Sequence, residues 1–212
     1  EIVAAGGLVP YLDNRLNVKG APNENYAREV MELFTMGESS GYSESDVIEA
    51  ARALTGWTVN RGKNRATAAL LEHDPNSLIR FRRHKHDSAQ KTLLGVSGNL
   101  NSASVVAILS SRTETADFLG TRLWEWFALK NPEPQLIAKT TDAYFKSNGS
   151  IKEMVRTILT SKEMYSERAY RWRIKSPVEY VLGSIRNISG ITNGKAEMSD
   201  TLSMGQQLFF PP

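Results

Sequence analysis

The 212-residue chain contains no cysteine and only three histidines. The absence of cysteine excludes a disulfide framework, a cysteine-ligated zinc site and a thiol nucleophile. Three histidines are few for an imidazole-based metal centre, which needs three or four ligands. No apolar run approaches the roughly 20 residues that a membrane-spanning helix requires. The sequence therefore predicts no metal, no cofactor and no membrane span.

A strong charge of one sign is also missing. Lysine and arginine number 26 against 23 aspartate and glutamate, so the net charge is only +3. This excess is too small to indicate nucleic-acid binding by itself, although the isoelectric point is about 9.1. The nucleophile elbow, phosphate loop, dinucleotide fingerprint and zinc-protease motif are absent too. The common hydrolase, kinase and dehydrogenase classes therefore lack support.

Helical patterns dominate what is present. Apolar residues recur at helical spacing over residues 26–36, and Gly37 is placed to end that helix. Ser43 with Asp46, and Ser176 with Glu179, have the spacing of capping boxes that open two more helices. Further helices are predicted over 101–110, 113–129, 134–147, from residue 150, from 177 to about 190, and over 199–209.

Residues 58–98 interrupt the helical pattern. Short strands are predicted near 78–81 and 92–94, in a minor β-hairpin or irregular excursion. We therefore predict an all-α fold, a compact multi-helix domain with this excursion. Residues 1–212 are expected to form a single mainly helical domain. Because both ends read as cuts, we expect the chain to be a fragment of a longer protein.

A polar block precedes and opens the first helix. It contains Asn23, Glu24, Asn25, Arg28 and Glu29, and Glu29 lies at the border of the apolar stripe. One interpretation is a solvated, capped helix, which follows the rule that charged residues lie on the surface. The other is an ordered carboxylate and amide cluster that binds a cation through oxygen ligands or holds a carboxylate for acid–base chemistry.

Two later segments add polar candidates. Glu49 and Arg52 lie three residues apart on the polar face of the second helix, where they most simply form an exposed pair. Residues 80–91 form the densest basic run, which ends with His86, Asp87 and Lys91. The run is an exposed strand edge, a phosphate-binding patch or a metal site. Its single phenylalanine offers no stacking platform for a nucleic acid. A metal site at His84, His86 and Asp87 would need further ligands, and His73 is the only other histidine.

These segments together resemble a known family, the bacterial domain of unknown function 1800 (DUF1800). The resemblance extends over nearly the whole chain. It is carried by PNENYARE (22–29) through Gly37, Asp46-Val47, EAARALTGW (49–57), His86-Asp87 with Lys91, Leu94-Gly95, KSPVE (175–179), Arg186, and Gly205-Gln206 before residues 210–212.

The resemblance implies a setting without implying a reaction. Members of the family are often exported, and they are often encoded beside a sulfatase-like exported family. The chain is therefore expected to be a helical accessory or binding domain of an exported bacterial protein that handles envelope or extracellular polysaccharide. The expected partners are a sulfatase-like exported protein or the polysaccharide, in the periplasm or outside the cell.

Two alternatives remain from the residues themselves. The first is a hydrolase that uses Glu29, His86 and Asp87 as a carboxylate and histidine site. The second is nonspecific nucleic-acid binding through residues 80–91. Because so many matching polar residues exceed what helix capping needs, we expect Asn25 and Glu29 to approach Arg52 and His86-Asp87. The candidate binding residues are Asn23, Glu24, Asn25, Arg28, Glu29, Arg52, His86, Asp87 and Lys91.

Overall fold

A computed structural model describes residues 16–59 and 79–206. Within these ranges it contains eight α-helices, two small two-stranded sheets and 54% helical residues, which confirms a mainly α fold with a minor β excursion. The helices are α1 Glu24–Glu32, α2 Glu44–Ala53, α3 Ser102–Ser110, α4 Thr113–Phe127, α5 Pro134–Lys146, α6 Ile151–Leu159, α7 Pro177–Asn187 and α8 Lys195–Ser203. The strands are β1 Trp57–Val59, β2 Ile79–Phe81, β3 Lys91–Leu93 and β4 Val96–Gly98.

Helix α1 begins and ends earlier than residues 26–36. It begins at Glu24 because the Asn23 side chain accepts a hydrogen bond from the Tyr26 amide. It ends at Glu32 because the amides of residues 36 and 37 both donate to the carbonyl of Met31, which closes a tight turn. Gly37 has a φ of +88°, so a glycine suits this turn. The turn therefore ends α1, although the apolar pattern of the sequence continues to residue 36.

Helix α2 confirms the predicted capping box. Ser43 accepts from the Asp46 amide, and the Asp46 carboxylate accepts from the Ser43 amide. The apolar face of α2 packs against α1, α3 and β3 in one core. The buried residues that α2 and the following turn contribute to this core are Val47, Ala50, Ala51, Ala53 and Leu54. This packing leaves the polar face of α2 turned toward the segment that leads into β3.

The two predicted strands belong to separate two-stranded sheets. Strand β1 pairs antiparallel with β2, and β3 pairs antiparallel with β4. Gly56 precedes β1 and has a φ of +102°. A Cβ at this position would lie 2.9 Å from the Phe81 ring and 3.0 Å from the His86 Cβ. This close approach brings the His86 segment against the end of α2.

Helices α4, α5 and α6 form the second part of the core. Trp124 is fully buried, and its Nε1 donates to the Leu136 carbonyl at 3.1 Å. Gly120 allows α5 to approach, since an added Cβ would lie 2.6 Å from Thr140 Oγ1. This layer contacts the first through α3 and α4.

Helices α7 and α8 end the described chain. Ser176 and Glu179 form the predicted reciprocal capping box at the start of α7. The last helix spans Lys195–Ser203, earlier than the predicted 199–209, of which 207–209 lie outside the described residues. Among the helices of residues 16–59 and 79–206, none is long and apolar enough to cross a membrane.

Candidate functional site

A polar pocket of about 480 Å³ lies between α2 and the start of β3. Residues three apart on a helix share one face, so α2 presents its acidic and basic side chains together. The segment that enters β3 supplies the opposite wall. The lining residues are Ser43, Ser45, Asp46, Glu49, Arg52, Gln90, Lys91 and Thr92.

Arg52 connects the two walls. Its Nη1 donates to both carboxylate oxygens of Glu49 at 2.7 and 2.9 Å, and its Nε donates to Asp87 Oδ2 at 2.8 Å. Its Nη2 donates to the carbonyl of Gln90 at 3.3 Å. The planar fork of the guanidinium is therefore held by three acceptors from two elements, which fixes its orientation.

Asp87 is ionised within this cluster. Burial opposes its ionisation, but the Arg52 hydrogen bond, the Ala89 amide and the charges of Arg52 and Lys91 outweigh burial and hold the pKa of the Asp87 carboxyl below its usual range. The Ala89 amide donates to Asp87 Oδ1 at 2.9 Å. The Asp87 carboxylate thus orders the turn before β3 as well as Arg52.

The carboxylates of α2 also bond the backbone of the hairpin. Glu49 Oε2 accepts from the Thr92 amide at 3.0 Å, and Asp46 Oδ1 accepts from the Leu94 amide at 2.7 Å. Burial opposes ionisation of Asp46, but its hydrogen bonds from Ser43 and Leu94 hold the pKa of this carboxyl below its usual range. These bonds hold the pocket walls at a fixed separation.

Lys91 is a buried cationic residue of the pocket lining. Its exposed fraction is 1%, because β3 alternates and Lys91 points to the same side as the buried Leu93. Its Nζ donates to the Ala89 carbonyl at 2.9 Å. Burial lowers the pKa of the Lys91 amine, and the positive charge of Arg52 lowers it further, against the opposing effects of Asp87 and Glu49.

His86 lies beside this cluster with its ring oriented by Thr55. Its Nδ1 lies 3.0 Å from the Thr55 carbonyl, and since a carbonyl only accepts, Nδ1 carries the proton. Thr55 Oγ1 donates to the Arg52 carbonyl and accepts from the Asp87 amide. The Asp87 carboxylate bonds Arg52 and Ala89, so His86 and Asp87 do not form a hydrogen-bonded catalytic pair.

Four of the nine predicted site residues therefore lie together, namely Arg52, His86, Asp87 and Lys91. Glu29 is half-buried and Asn25 is exposed on α1. Throughout the described ranges, neither side chain makes a hydrogen bond or ion pair with Arg52 or the His86 segment. The expected approach of α1 to this site is not found, because the acceptors of Arg52 come from α2 and from the turn before β3.

The other predicted residues of α1 have local contacts. Asn23 caps the helix, and Glu24 is an exposed residue of its first turn. Arg28 forms a bidentate pair with Glu44 of α2, with distances of 3.0 and 2.6 Å. Arg28 also lies 3.8 Å from Glu32 in its own helix. These contacts join α1 to α2 and account for much of the polar block.

Three features of the structure were not predicted from the sequence. Asn17 is fully buried, accepts from the Asn23 amide at 2.9 Å and donates to the Ala51 carbonyl at 3.0 Å, yet no pattern around it signals this role. Glu49 was expected in an exposed pair, but its side chain is only 19% exposed because the hairpin covers it. The burial of Lys91 does have a signal in the sequence, because Lys91 and Leu93 lie two positions apart in a strand and therefore point to the same side.

The first part of the basic run, residues 80–85, lies outside the pocket lining. Arg80, Arg82, Arg83 and His84 are all exposed, and a 3₁₀ turn over Arg83–Lys85 carries its middle part. In the part of the chain that the structure describes, no three or more metal-ligating side chains come together. Lys91, at the end of the run, belongs in contrast to the pocket lining.

Comparison with known proteins gives a family and no activity. The model of a family described as "Protein of unknown function (DUF1800)" matches residues 3–212. No curated protein matches the chain. No solved structure matches it either.

Proposed function

Since the chain belongs to the DUF1800 family, whose function is unknown, we propose from its structure that it is a ligand-binding domain. The proposed site is the pocket between α2 and β3, and the proposed ligand is a neutral, hydroxyl-rich molecule such as a glycan. The observation that carries the proposal is the mixed lining of this pocket, in which fixed donors and fixed acceptors lie side by side.

The charge of the lining favours a neutral ligand. The lining contains two cationic side chains, Arg52 and Lys91, and two anionic ones, Asp46 and Glu49. An anionic ligand would be attracted by the two cations and repelled by the two carboxylates. A sugar carries no charge, and each of its hydroxyls can both donate and accept. Such a ligand uses both kinds of group without a net electrostatic penalty.

The rigidity of the lining supports binding as well. Glu49 and Asp87 hold the Arg52 guanidinium, and hydrogen bonds from the hairpin amides hold the α2 carboxylates. Groups that are already ordered lose little conformational entropy when a ligand arrives. Ser45 lies exposed at the rim, where its hydroxyl is accessible to a ligand.

The proposed setting is an exported bacterial protein in which this chain is an accessory domain. Its ligand would then be envelope or extracellular polysaccharide, and a sulfatase-like exported protein would be its partner in the periplasm or outside the cell. This setting is supported by the family resemblance described above, and the neutral polar pocket is compatible with it.

The geometry does not favour the two alternative functions. Hydrolysis by Glu29, His86 and Asp87 would require these groups to converge, but Glu29 lies outside the pocket lining and the Asp87 carboxylate is bonded to Arg52. Nucleic-acid binding would use the exposed basic segment at 80–85, which lacks a stack of aromatic side chains.

Binding is tested with neutral oligosaccharides on an array and then by calorimetry. Ser45→Trp fills the rim of the pocket without removing a hydrogen bond of the Arg52 cluster, and it should weaken binding by at least about tenfold, or 1.4 kcal/mol. Ser199→Trp on the exposed surface of α8 is the matched control and should bind like the parent chain. Equal binding by both variants, or no binding of any oligosaccharide, would refute the proposal.

A further inference from the structure

The chain contains two asparagine–glycine pairs, Asn148–Gly149 and Asn193–Gly194. In such a pair the amide nitrogen of the glycine is unhindered, because glycine has no side chain, and it can attack the side-chain carbonyl carbon of the asparagine. We propose that Asn193 is a site of spontaneous covalent modification, at which this attack converts asparagine to aspartate and isoaspartate, while the fold protects Asn148. Neither pair belongs to the lining of the proposed glycan pocket.

Neither solvent exposure nor backbone conformation separates the two pairs. Asn148 and Asn193 are both exposed. Gly149 and Gly194 both have a positive φ, of +86° and +79°. A small hydroxyl residue precedes each asparagine, serine in one pair and threonine in the other. The difference therefore lies in the hydrogen bonds that hold each glycine amide.

The amide of Gly149 is held by the end of α5. It donates to the carbonyl of Tyr144 at 2.8 Å, and the amide of Asn148 donates to the carbonyl of Phe145 at 3.2 Å. These two bonds form a Schellman closure of the helix. Tyr144 is itself buried, and its hydroxyl donates to the Ser110 carbonyl at 2.8 Å. The Gly149 nitrogen can reach the Asn148 side chain only if this closure opens, which costs free energy before any reaction.

The amide of Gly194, in contrast, has a local and exposed acceptor. It donates to the Thr192 hydroxyl at 2.9 Å, and Thr192 is exposed. A Cβ added to Gly194 would have no atom of the described chain within 4 Å, so this glycine lies in open space. The Thr192 hydroxyl can rotate away without opening a helix. Attack by the Gly194 nitrogen therefore requires a smaller rearrangement than attack by the Gly149 nitrogen.

The structure also activates the carbon that is attacked. The amide of Lys195, the first residue of α8, donates to Asn193 Oδ1 at 3.1 Å. Negative charge develops on this oxygen when the nitrogen adds to the carbonyl carbon, and a backbone donor already placed on it stabilises that charge. In the part of the chain that the structure describes, the Asn148 side chain receives no such hydrogen bond. The donor at Lys195 therefore favours reaction at Asn193 further.

The proposed modification balances without an oxidant or reductant. The Gly194 nitrogen forms a bond to Asn193 Cγ and gives up its proton. The bond from Cγ to the side-chain nitrogen breaks, and that nitrogen leaves as ammonia with the proton. The resulting cyclic imide is then opened by water at either carbonyl, which gives aspartate or isoaspartate. Either product adds a negative charge beside the N-terminus of α8, and isoaspartate also lengthens the backbone there.

The experiment incubates the intact chain at mildly alkaline pH and physiological temperature and follows both asparagines over time. Proteolysis at acidic pH limits further reaction, and peptide mass spectrometry measures the converted fraction at Asn148 and at Asn193. We expect the initial rate of conversion at Asn193 to exceed that at Asn148 several-fold, because the Gly149 amide must first leave its helix closure. Equal rates, or faster conversion at Asn148, overturn the inference.

Unfolding provides the control for the effect of neighbouring residues. In concentrated urea the Schellman closure and the Lys195 contact are both lost, so the two pairs should react at similar rates. A rate ratio that persists in urea overturns the inference, because it would come from the flanking sequence and not from the fold. Asn193→Gln should abolish the fast ammonia release of the folded chain, whereas the matched variant Asn148→Gln should retain it. Fast release that persists in Asn193→Gln also overturns the inference.

Discussion

Replacing Asp87 by asparagine tests how strongly the Arg52 cluster stabilises the fold. Asp87 accepts from Arg52 Nε at 2.8 Å and from the Ala89 amide at 2.9 Å. Asparagine has nearly the same size and keeps one carbonyl oxygen for the Ala89 amide. The substitution therefore removes the charge of the pair and leaves the packing nearly unchanged.

The expected loss lies between the values for exposed and buried ion pairs. Exposed pairs contribute about 0–1 kcal/mol, and breaking a fully buried pair costs about 3–5 kcal/mol. The side chains of Arg52 and Asp87 are 25% and 13% exposed, so the pair is mostly buried. Glu49 still neutralises Arg52 in the variant, which limits the loss. We expect the free energy of unfolding to fall by about 2 kcal/mol.

Urea unfolding at neutral pH measures this loss. The control is Asp142→Asn, which breaks the pair between Asp142 and Lys146, whose side chains are 63% and 76% exposed. This control should show no measurable change. In an Arg52→Met background, Asp87→Asn should have a much smaller effect, since the partner is already gone. A loss in Asp87→Asn below about 0.5 kcal/mol, or the same loss in the Arg52→Met background, would refute this account.

Three further predictions concern pH, capping and a turn. The lowered pKa values of Asp46 and Asp87 mean that their stabilisation is complete above their unfolded pKa of about 3.9 and is lost as pH falls through the folded values. The urea midpoint should therefore decrease when the pH is lowered below about 4, and it should decrease less steeply in Asp87→Asn. Parallel curves of midpoint against pH for the parent chain and the variant would contradict this. Ser43→Ala should lower the free energy of unfolding by about 1 kcal/mol, and an unchanged midpoint would argue against the capping box. Gly56→Ala should cost about 2 kcal/mol because φ is +102° and the Phe81 ring is close, so a melting temperature equal to that of the parent chain would exclude this strain.

The starts of α2 and α7 could be predicted because their determinants are local. The capping boxes at Ser43 and Ser176 depend on residues three positions apart, so the sequence alone specifies the contacts. The end of α1 could not be predicted from its apolar pattern. It depends on a turn in which the amides of Met36 and Gly37 converge on the carbonyl of Met31.

The site was predictable only in part for a related reason. Arg52 and Asp87 are separated by 35 positions, and the sequence does not say which element covers the polar face of α2. The hairpin that contains β3 covers this face, and α1 does not. Asp87 therefore contacts Arg52, whereas Glu29 does not. Lys91 is the exception, because it lies two positions before the buried Leu93 in a strand and so should point inward. The usual surface location of lysine argues against this placement.

The bonds from α2 to the Thr92 and Leu94 amides also affect how the protein behaves at high concentration. A strand edge with free amides is a template on which a second chain can pair. The Thr92 amide on β3 already bonds the carboxylate of Glu49, and the Leu94 amide directly after β3 already bonds that of Asp46. An incoming strand would have to displace charged acceptors, each worth about 1.5–3 kcal/mol. The acidic face of α2 therefore protects this hairpin against intermolecular β-sheet aggregation.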